Sequence, residues 1–216
     1  FKKDLETALK REVKLMNDAN CFTLSEAVDG AGKDYQSIFG IIIGTGFGGA
    51  LSYKKEIIEG ANQIAGDWGH QPLPYPTKEE IETKINCPSM NCGRPLCAEQ
   101  FMSGIGFKDV FNQKNNTNFS SEEIVQLDLD EDPRANLELS LYEDRMARLM
   151  AVMIGIFDPD AIILGGGMSN IDRLYKNIPA LIPKYTFSNK VITKVIKNFH
   201  GDSSGVRGAA WLWNHV

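Results

Sequence analysis

A histidine followed by three evenly spaced cysteines is the feature that most constrains how this chain can fold. His70 precedes Cys87, Cys92 and Cys97, and the two gaps between the cysteines are equal. Three thiolates and one imidazole form a complete tetrahedral ligand set for a structural zinc ion. Residues 66–99 are rich in Pro and Gly and show weak periodicity, so we expect a loop-built insertion that a bound metal would order.

The alternative is that these thiols are unrelated to one another. Three of the chain's four cysteines fall in this short segment, which favours a shared site. Residues 1–10 are charged and helix-like, without the apolar core and cleavage site of a secretory signal. This predicts a cytoplasmic protein, and in a reducing compartment clustered cysteines indicate metal binding before disulfides. Cys21 stands apart and is expected to be a small buried hydrophobic residue.

Charge and hydropathy argue against two classes of partner. The 216 residues include 23 basic and 28 acidic side chains, with a net charge of −5. No basic cluster is present, so nucleic-acid binding is not expected. The longest apolar runs, such as residues 161–164, are far shorter than the roughly 20 residues that cross a bilayer, so no membrane span is expected either. A hydrophobic fraction of 43% allows one large domain or two small lobes.

Hydrophobic periodicity alternates between strand and helix, which predicts an α/β fold. Strands are predicted over residues 13–15, 37–43, 50–53, 161–164 and 191–196. Helices are predicted over residues 3–11, from 17–20 to about 27, over 134–157 and over 207–213. Ser169 and Asp172 resemble a capping box that would begin a further helix.

Two glycine-rich segments follow predicted strands. In the run from Gly44 through Thr45 and Gly46 to Gly49, backbone N–H groups could converge on a phosphate. A tight turn in which glycine only supplies positive φ explains the same run equally well. The run Gly165–Gly167 is a weaker signal, because it could serve only close packing of a strand against a helix.

Asp18 lies where a predicted helix begins, and most carboxylates in that position are structural caps. Its neighbours in the pattern favour a further role. Asn17, Asp67, His70 and Glu99 are polar and lie in segments that look like loops at strand ends. Carboxylates and amides of this kind suit a sugar, whose hydroxyls each need a partner, and one carboxylate could act as a base toward a hydroxyl that attacks phosphorus.

These motifs, in this order, closely resemble the ROK family of sugar kinases and sugar-responsive repressors. The resemblance covers essentially the whole chain and rests on residues 17–20, 43–49, 65–70, 92–99 and 164–169. Within that family, residues 71–74, 101–107 and 200–211 look most like bacterial fructokinases, also called manno(fructo)kinases, with N-acetylglucosamine kinases as neighbours.

The resemblance implies the actin-like ATPase (ribonuclease H-like) fold, in which two lobes close over ATP and sugar. Residues 1–33 would be the end of the N-terminal lobe, and residues 34–216 the C-terminal lobe with the zinc-binding loop at about 66–99. The chain lacks an initial Met and the family's N-terminal Asp-x-Gly-Gly-Thr phosphate loop. We therefore expect a preceding segment, without which these residues would not turn over ATP.

The resemblance also implies roles for single residues in an ATP-dependent kinase that acts on the 6-hydroxyl of fructose, with mannose or glucose as further substrates. Asp18 would be the general base. The sugar would be held by Asn17, Asp18, Asp67, His70 and Glu99. The nucleotide, with Mg²⁺, would be held by Gly44, Thr45, Gly46, Gly166 and Gly167. Zinc would be bound by His70, Cys87, Cys92 and Cys97.

Two positions depart from the family pattern. Asp67 stands where members usually have Glu, which shortens its reach to a sugar by roughly 1.5 Å. Many members begin the cysteine set with Cys-x-Cys, which would need a ligand at Met90, and here Cys87 takes that role from a longer loop. The alternative function is a ROK repressor with an N-terminal helix-turn-helix. A homodimer is expected from the relatives.

Overall fold

The structure of the chain is a computed structural model that describes residues 1–83, 85–89, 92–188 and 190–213. Within these residues the strands form a single mixed sheet in the order β3-β2-β1-β4-β5. β1 pairs antiparallel with β2 and parallel with β4, and β5 continues the parallel side. The strands are β1 (Ser37–Ile43), β2 (Phe47–Tyr53), β3 (Glu56–Ile57), β4 (Ala161–Gly165) and β5 (Lys194–Lys197).

Helices cover both faces of this sheet. They are α1 (Lys2–Leu9), α2 (Asp18–Val28), α3 (Lys78–Ile81), α4 (Ala98–Met102), α5 (Gly104–Asn115), α6 (Ser121–Leu129), α7 (Pro133–Phe157), α8 (Arg173–Leu181) and α9 (Ser204–Trp211). The prediction of an α/β fold is therefore confirmed. None of the helices in the described ranges combines the length and the apolarity that a bilayer span requires.

The two faces of β1 and β4 contribute to different hydrophobic clusters. Phe39 and Ile41 on β1 face the larger cluster, which includes Tyr142 and Met146 of α7. Ile38 faces a smaller cluster that includes Phe22 and Ala27 of α2, and α9 packs against α2. Burial on both faces explains why β1 and β4 are nearly continuous apolar runs in the sequence.

The long segment between β3 and α4 is fixed by a buried ionic network. Thr77 caps α3 in a capping box with Glu80. The Glu80 carboxylate accepts hydrogen bonds from Arg145 at 2.8 Å and Arg148 at 2.7 Å, both on α7. The Arg148 guanidinium also donates to the backbone oxygens of Pro74 and Tyr75 at 2.8 Å. This part of the insertion is therefore attached to the core without a metal.

Two local predictions are wrong. Residues 13–15 form no strand: the Val13 N–H donates to the Glu6 carboxylate, and the Lys14 ammonium binds the Leu212 carbonyl, so the segment has no ladder partner among the described residues. Ser169 begins no α-helix, because its hydroxyl donates to the Gly166 carbonyl within a 3-10 turn. The helix starts only at α8.

Other element boundaries shift without changing type. The strand predicted over residues 50–53 begins at Phe47, because β2 pairs with β1 over its whole length. The strand predicted over residues 191–196 is shorter at its start, since only residues 194–197 pair with β4. Residues 37–43 and the long helix ending at Phe157 agree with the prediction.

Candidate functional site

A cleft of about 420 Å³ opens beside the end of β1. Its walls are the start of α2, the turn between β1 and β2, the loop that precedes the cysteines, and the start of α4. The structure thus brings together residues that lie far apart in the sequence. Those predicted for the site that line this cleft are Asn17, Asp18, Gly44, Thr45, Gly46, Asp67, His70 and Glu99.

Asp18 is placed at the cleft by the first turn of α2. The Asn17 side chain caps the helix by accepting a hydrogen bond from the Ala19 N–H at 2.8 Å. The Asp18 Oδ1 atom accepts from the same N–H at 2.8 Å, and both acidic and amide side chains remain exposed. Asp18 is therefore both the first residue of α2 and a lining residue of the cleft.

The turn between β1 and β2 is held from two sides. Its own Gly44 N–H donates to the Gly46 carbonyl at 3.0 Å, and the Gly104 N–H donates to the Gly44 carbonyl at 2.8 Å. The Glu99 Oε2 atom accepts a hydrogen bond from the Phe47 N–H at 3.3 Å. Glu99 is 8% exposed, so a largely buried carboxylate lies directly behind the turn.

The predicted metal ligands converge in space. One ligand atom from each of His70, Cys87, Cys92 and Cys97 lies within 4.8 Å of the others. A tetrahedral site with Zn–S bonds of about 2.3 Å has ligand atoms about 3.8 Å apart, so a small contraction of this cluster would close the site. The donor set and its spacing therefore fit one zinc ion. Met90 lies outside the described residues.

Backbone pairing brings the two ends of the loop together. The Leu73 N–H donates to the Leu96 carbonyl at 2.7 Å, and the Ala98 N–H donates to the Gln71 carbonyl at 2.8 Å. Pro72 and Cys97 form an isolated antiparallel bridge between these bonds. His70 is thereby held next to the thiols without requiring a regular strand.

The thiols have unequal electrostatic surroundings. Burial raises the pKa of the Cys97 thiol and, more strongly, that of the Cys87 thiol. A hydrogen bond from the Arg94 backbone lowers the pKa of Cys92. Since metal binding requires thiolates, the charge of a cation is what would bring all three into the same ionisation state.

The cysteine cluster and the cleft share a wall. The Cys87 sulfur lies 4.0 Å from His70 Nδ1 and 3.7 Å from Glu99 Oε1. His70 is thus a member of the cluster and a lining residue of the cleft. A change at the cluster would be transmitted to the cleft through His70 and Glu99.

A second cavity of about 670 Å³ lies on the other side of the same turn. Gly44 and Thr45 line both cavities. Gly167 lines the second cavity, and Gly166 is not among its lining residues. Gly166 has a φ of 81°, and a side chain there would collide with the Ile43 backbone. The remaining wall is formed by α5, α6 and the 3-10 turn after β4, and is lined by Gly104, Ile105, Lys108, Ser120, Ser121, Glu122, Val125, Met168, Asn170 and Ile171.

Sequence reasoning missed most of this second wall. One signal was present: Ser120 and Glu123 form a capping box, which marks the start of α6 at the cavity. Lys108 gave no signal, because a single lysine on a helix is ordinary. The first cavity also has missed members, Gln63 and Ile64, in a loop whose position depends on tertiary contacts.

Comparison with known proteins identifies the family to which the chain belongs. The sequence profile of the ROK family matches residues 1–216. The chain belongs to the ROK family. An N-acetyl-D-glucosamine kinase from Vibrio atlanticus is 38% identical to it over 212 residues, which cover 98% of this ROK chain and 70% of the relative.

Solved structures of the ROK family have the same fold. A ROK hexokinase from Thermus thermophilus superimposes with a TM-score of 0.83 at 24% identity, covering 97% of this chain and 67% of that one. A ROK family transcriptional regulator, a homologue of the E. coli MLC protein, gives 0.81 at 20% identity and covers 99% and 54%. The expected actin-like ATPase fold is confirmed. Because one of these two structures is an enzyme and the other a regulator, the fold alone does not determine the function, and the residues of the site must be considered.

Proposed function

We propose that this protein is an ATP-dependent sugar kinase that transfers the γ-phosphate of ATP to the 6-hydroxyl of a hexose. The observation that carries this proposal is that Gly44 and Thr45 line two cavities at once. A nucleotide in the second cavity would place its phosphates at a turn that also borders the first. The kinase relatives support the same reaction class.

Asp18 is the general base of the proposed reaction. It is the carboxylate at the start of α2, exposed in the first cavity, which the same turn borders. A carboxylate there can accept the proton of a sugar hydroxyl as that oxygen attacks phosphorus. Asn17, Asp67, His70 and Glu99 would bind the other hydroxyls. Mg²⁺ would accompany ATP and neutralise the phosphate charge.

Zinc is the metal that the ligand set favours, because three thiolates and one imidazole suit its tetrahedral geometry. His70 Nδ1 is the ring atom next to the Cys87 sulfur. The other ring nitrogen then remains available for a sugar hydroxyl, and binding of the metal through Nδ1 would fix the orientation of the ring. We infer that zinc shapes the sugar cavity and takes no part in the transfer of phosphate.

Fructose is the hexose we propose, on the resemblance of residues 71–74, 101–107 and 200–211 to fructokinases. N-acetylglucosamine is the competing substrate, because the curated relative carries that name. Residues 1–33 are proposed as the end of one lobe and residues 34–216 as the other, so that sugar and nucleotide would bind where the lobes meet.

The test is release of ADP by the full-length gene product with ATP, Mg²⁺ and one sugar at a time. Fructose, mannose, glucose and N-acetylglucosamine form the panel, and product analysis locates the phosphate. We expect fructose to give the largest kcat/KM, with phosphate at the 6-position. A larger value for N-acetylglucosamine would correct the substrate but keep the kinase. Sugar binding without release of ADP from any member of the panel would refute the kinase and support a repressor.

A further inference from the structure

Lys108 lies in the wall of the second cavity, beside the turn that both cavities share. It is half-buried on α5, and Gly44 and Thr45 line the same cavity. Besides Lys108, the only charged residue among the described lining residues is Glu122, which belongs to the α6 wall. Among the lining residues that the structure describes, Lys108 is therefore the one cation, and it lies on the wall next to the turn.

The geometry of α5 directs Lys108 toward the turn. Lys108 follows Gly104 by four residues, so the two lie on the same helix face, and side chains lean toward the helix N-terminus. The Gly104 N–H is bonded to the Gly44 carbonyl at 2.8 Å. Lys108 therefore extends over a residue that is itself attached to the turn.

The ammonium group of Lys108 has no carboxylate within ion-pair distance in the described part of the chain. Lys114 on the same helix provides the contrast, with Glu79 at 2.9 Å and Glu138 at 3.0 Å. The Lys108 ammonium can therefore pair with an anionic ligand, and such charge-assisted hydrogen bonds are stronger than neutral ones.

We propose that Lys108 binds the phosphate chain of the nucleotide at the turn formed by Gly44 and Thr45. This rests on the proposed function, and adds a residue that the glycine pattern does not indicate. Backbone N–H groups of the turn and the Lys108 ammonium would approach the phosphates from two sides. The adenosine moiety would lie against the apolar part of the cavity, away from Lys108.

The test is calorimetric binding of MgADP and of adenosine to the full-length protein. Because a charge-assisted hydrogen bond to phosphate would be lost, Lys108→Met should raise the Kd for ADP by about tenfold or more. Adenosine lacks phosphate, and its Kd should change less than about twofold by the same reasoning. Lys108→Arg keeps the charge and should restore most of the affinity for ADP.

Lys176→Met is the matched control, because Lys176 is an exposed lysine on α8 that does not line the cavity. Its affinity for ADP should be that of the wild type. Unchanged affinity of Lys108→Met for ADP overturns the assignment, and so does an equal loss for ADP and adenosine. If the wild type binds a sugar but neither ADP nor adenosine, the kinase proposal itself fails, which is a different result.

Discussion

Cys87 is the residue whose role depends most on the detailed path of its loop. The resemblance led us to expect the first thiol ligand at the position of Met90, yet the Cys87 sulfur lies with the other three ligand atoms. The grouping could be predicted because few cysteines occur elsewhere in the chain. The contact of Cys87 with Glu99 at 3.7 Å could not be predicted, since it depends on how the loop packs on α4.

Removal of this ligand tests the zinc proposal. We expect Cys87→Ser to lower the zinc content measured by elemental analysis from about one ion per chain. The KM for sugar should rise because His70 loses its fixed orientation. The Kd for ADP should be unchanged, since none of the four cluster residues lines the second cavity.

Cys21→Ala is the control for this experiment, because Cys21 is buried in α2 outside the cluster. It should keep full zinc content. Zinc content equal to that of the wild type in Cys87→Ser would show that Cys87 is not a ligand.

Asp67 could be predicted as a site residue from a sequence motif, whereas Lys108 could not. Asp67 was predicted for the site from a motif that also contains His70, and it does line the first cavity. Lys108 belongs to no motif, and only the packing of α5 against the turn gives it a role. Its assignment to phosphate stays a prediction until binding is measured.

Among the elements, α7 and α3 are joined by buried ion pairs that the sequence analysis did not predict. The side chains of Arg145 and Arg148 are each 2% exposed, and both bind Glu80. Burial alone would raise the pKa of Glu80. Hydrogen bonds from Arg148, Thr77 and Arg145 outweigh it and hold that pKa below its usual value.

This pKa predicts a pH-dependent contribution to stability. A lowered folded-state pKa means that the contribution is complete above the unfolded-state value of about 4.3 and is lost as pH falls through the folded-state value. Glu80→Gln should therefore lower the melting temperature at pH 7, with a cost of about 3 to 5 kcal/mol. The difference from the wild type should shrink below about pH 4.

Glu82→Gln is the matched control, because Glu82 forms an exposed ion pair with Lys78 at 3.8 Å. Exposed pairs contribute less than about 1 kcal/mol. A difference for Glu80→Gln that stays constant from pH 7 to pH 3 would mean that its ionisation is not linked to folding.

Element types were predictable where one periodicity dominates and failed where tertiary contacts decide. β1 is apolar on both faces and α7 has a long helical period, so both were predicted with accurate ends. Residues 13–15 have strand-like composition, but their polar groups are bonded to α1 and to the end of α9. Ser169 has the spacing of a cap, but its hydroxyl bonds backward to Gly166.

At the scale of the whole molecule, two cavities meet at one turn, and of these two only the first is bordered by the histidine-cysteine cluster. The sequence indicated the order of the motifs, and the family resemblance indicated the actin-like ATPase fold. Neither showed that Gly44 and Thr45 would be common to both cavities. That arrangement is a property of the packed sheet and helices, and the homodimer and the division into lobes stay predictions.

The central claim is that the Asp18 carboxylate accepts the proton of the attacking sugar hydroxyl, and that its negative charge is needed for this step and not for the binding of either ligand, since Asn at this position can still hydrogen-bond the sugar. The most direct measurement compares Asp18→Asn with wild-type full-length protein for turnover and for equilibrium binding of sugar and MgADP. Loss of a general base should lower kcat by roughly 100- to 10,000-fold. Both Kd values should stay close to those of the wild type. Retained turnover, or equal loss of turnover and of sugar binding, would contradict this account.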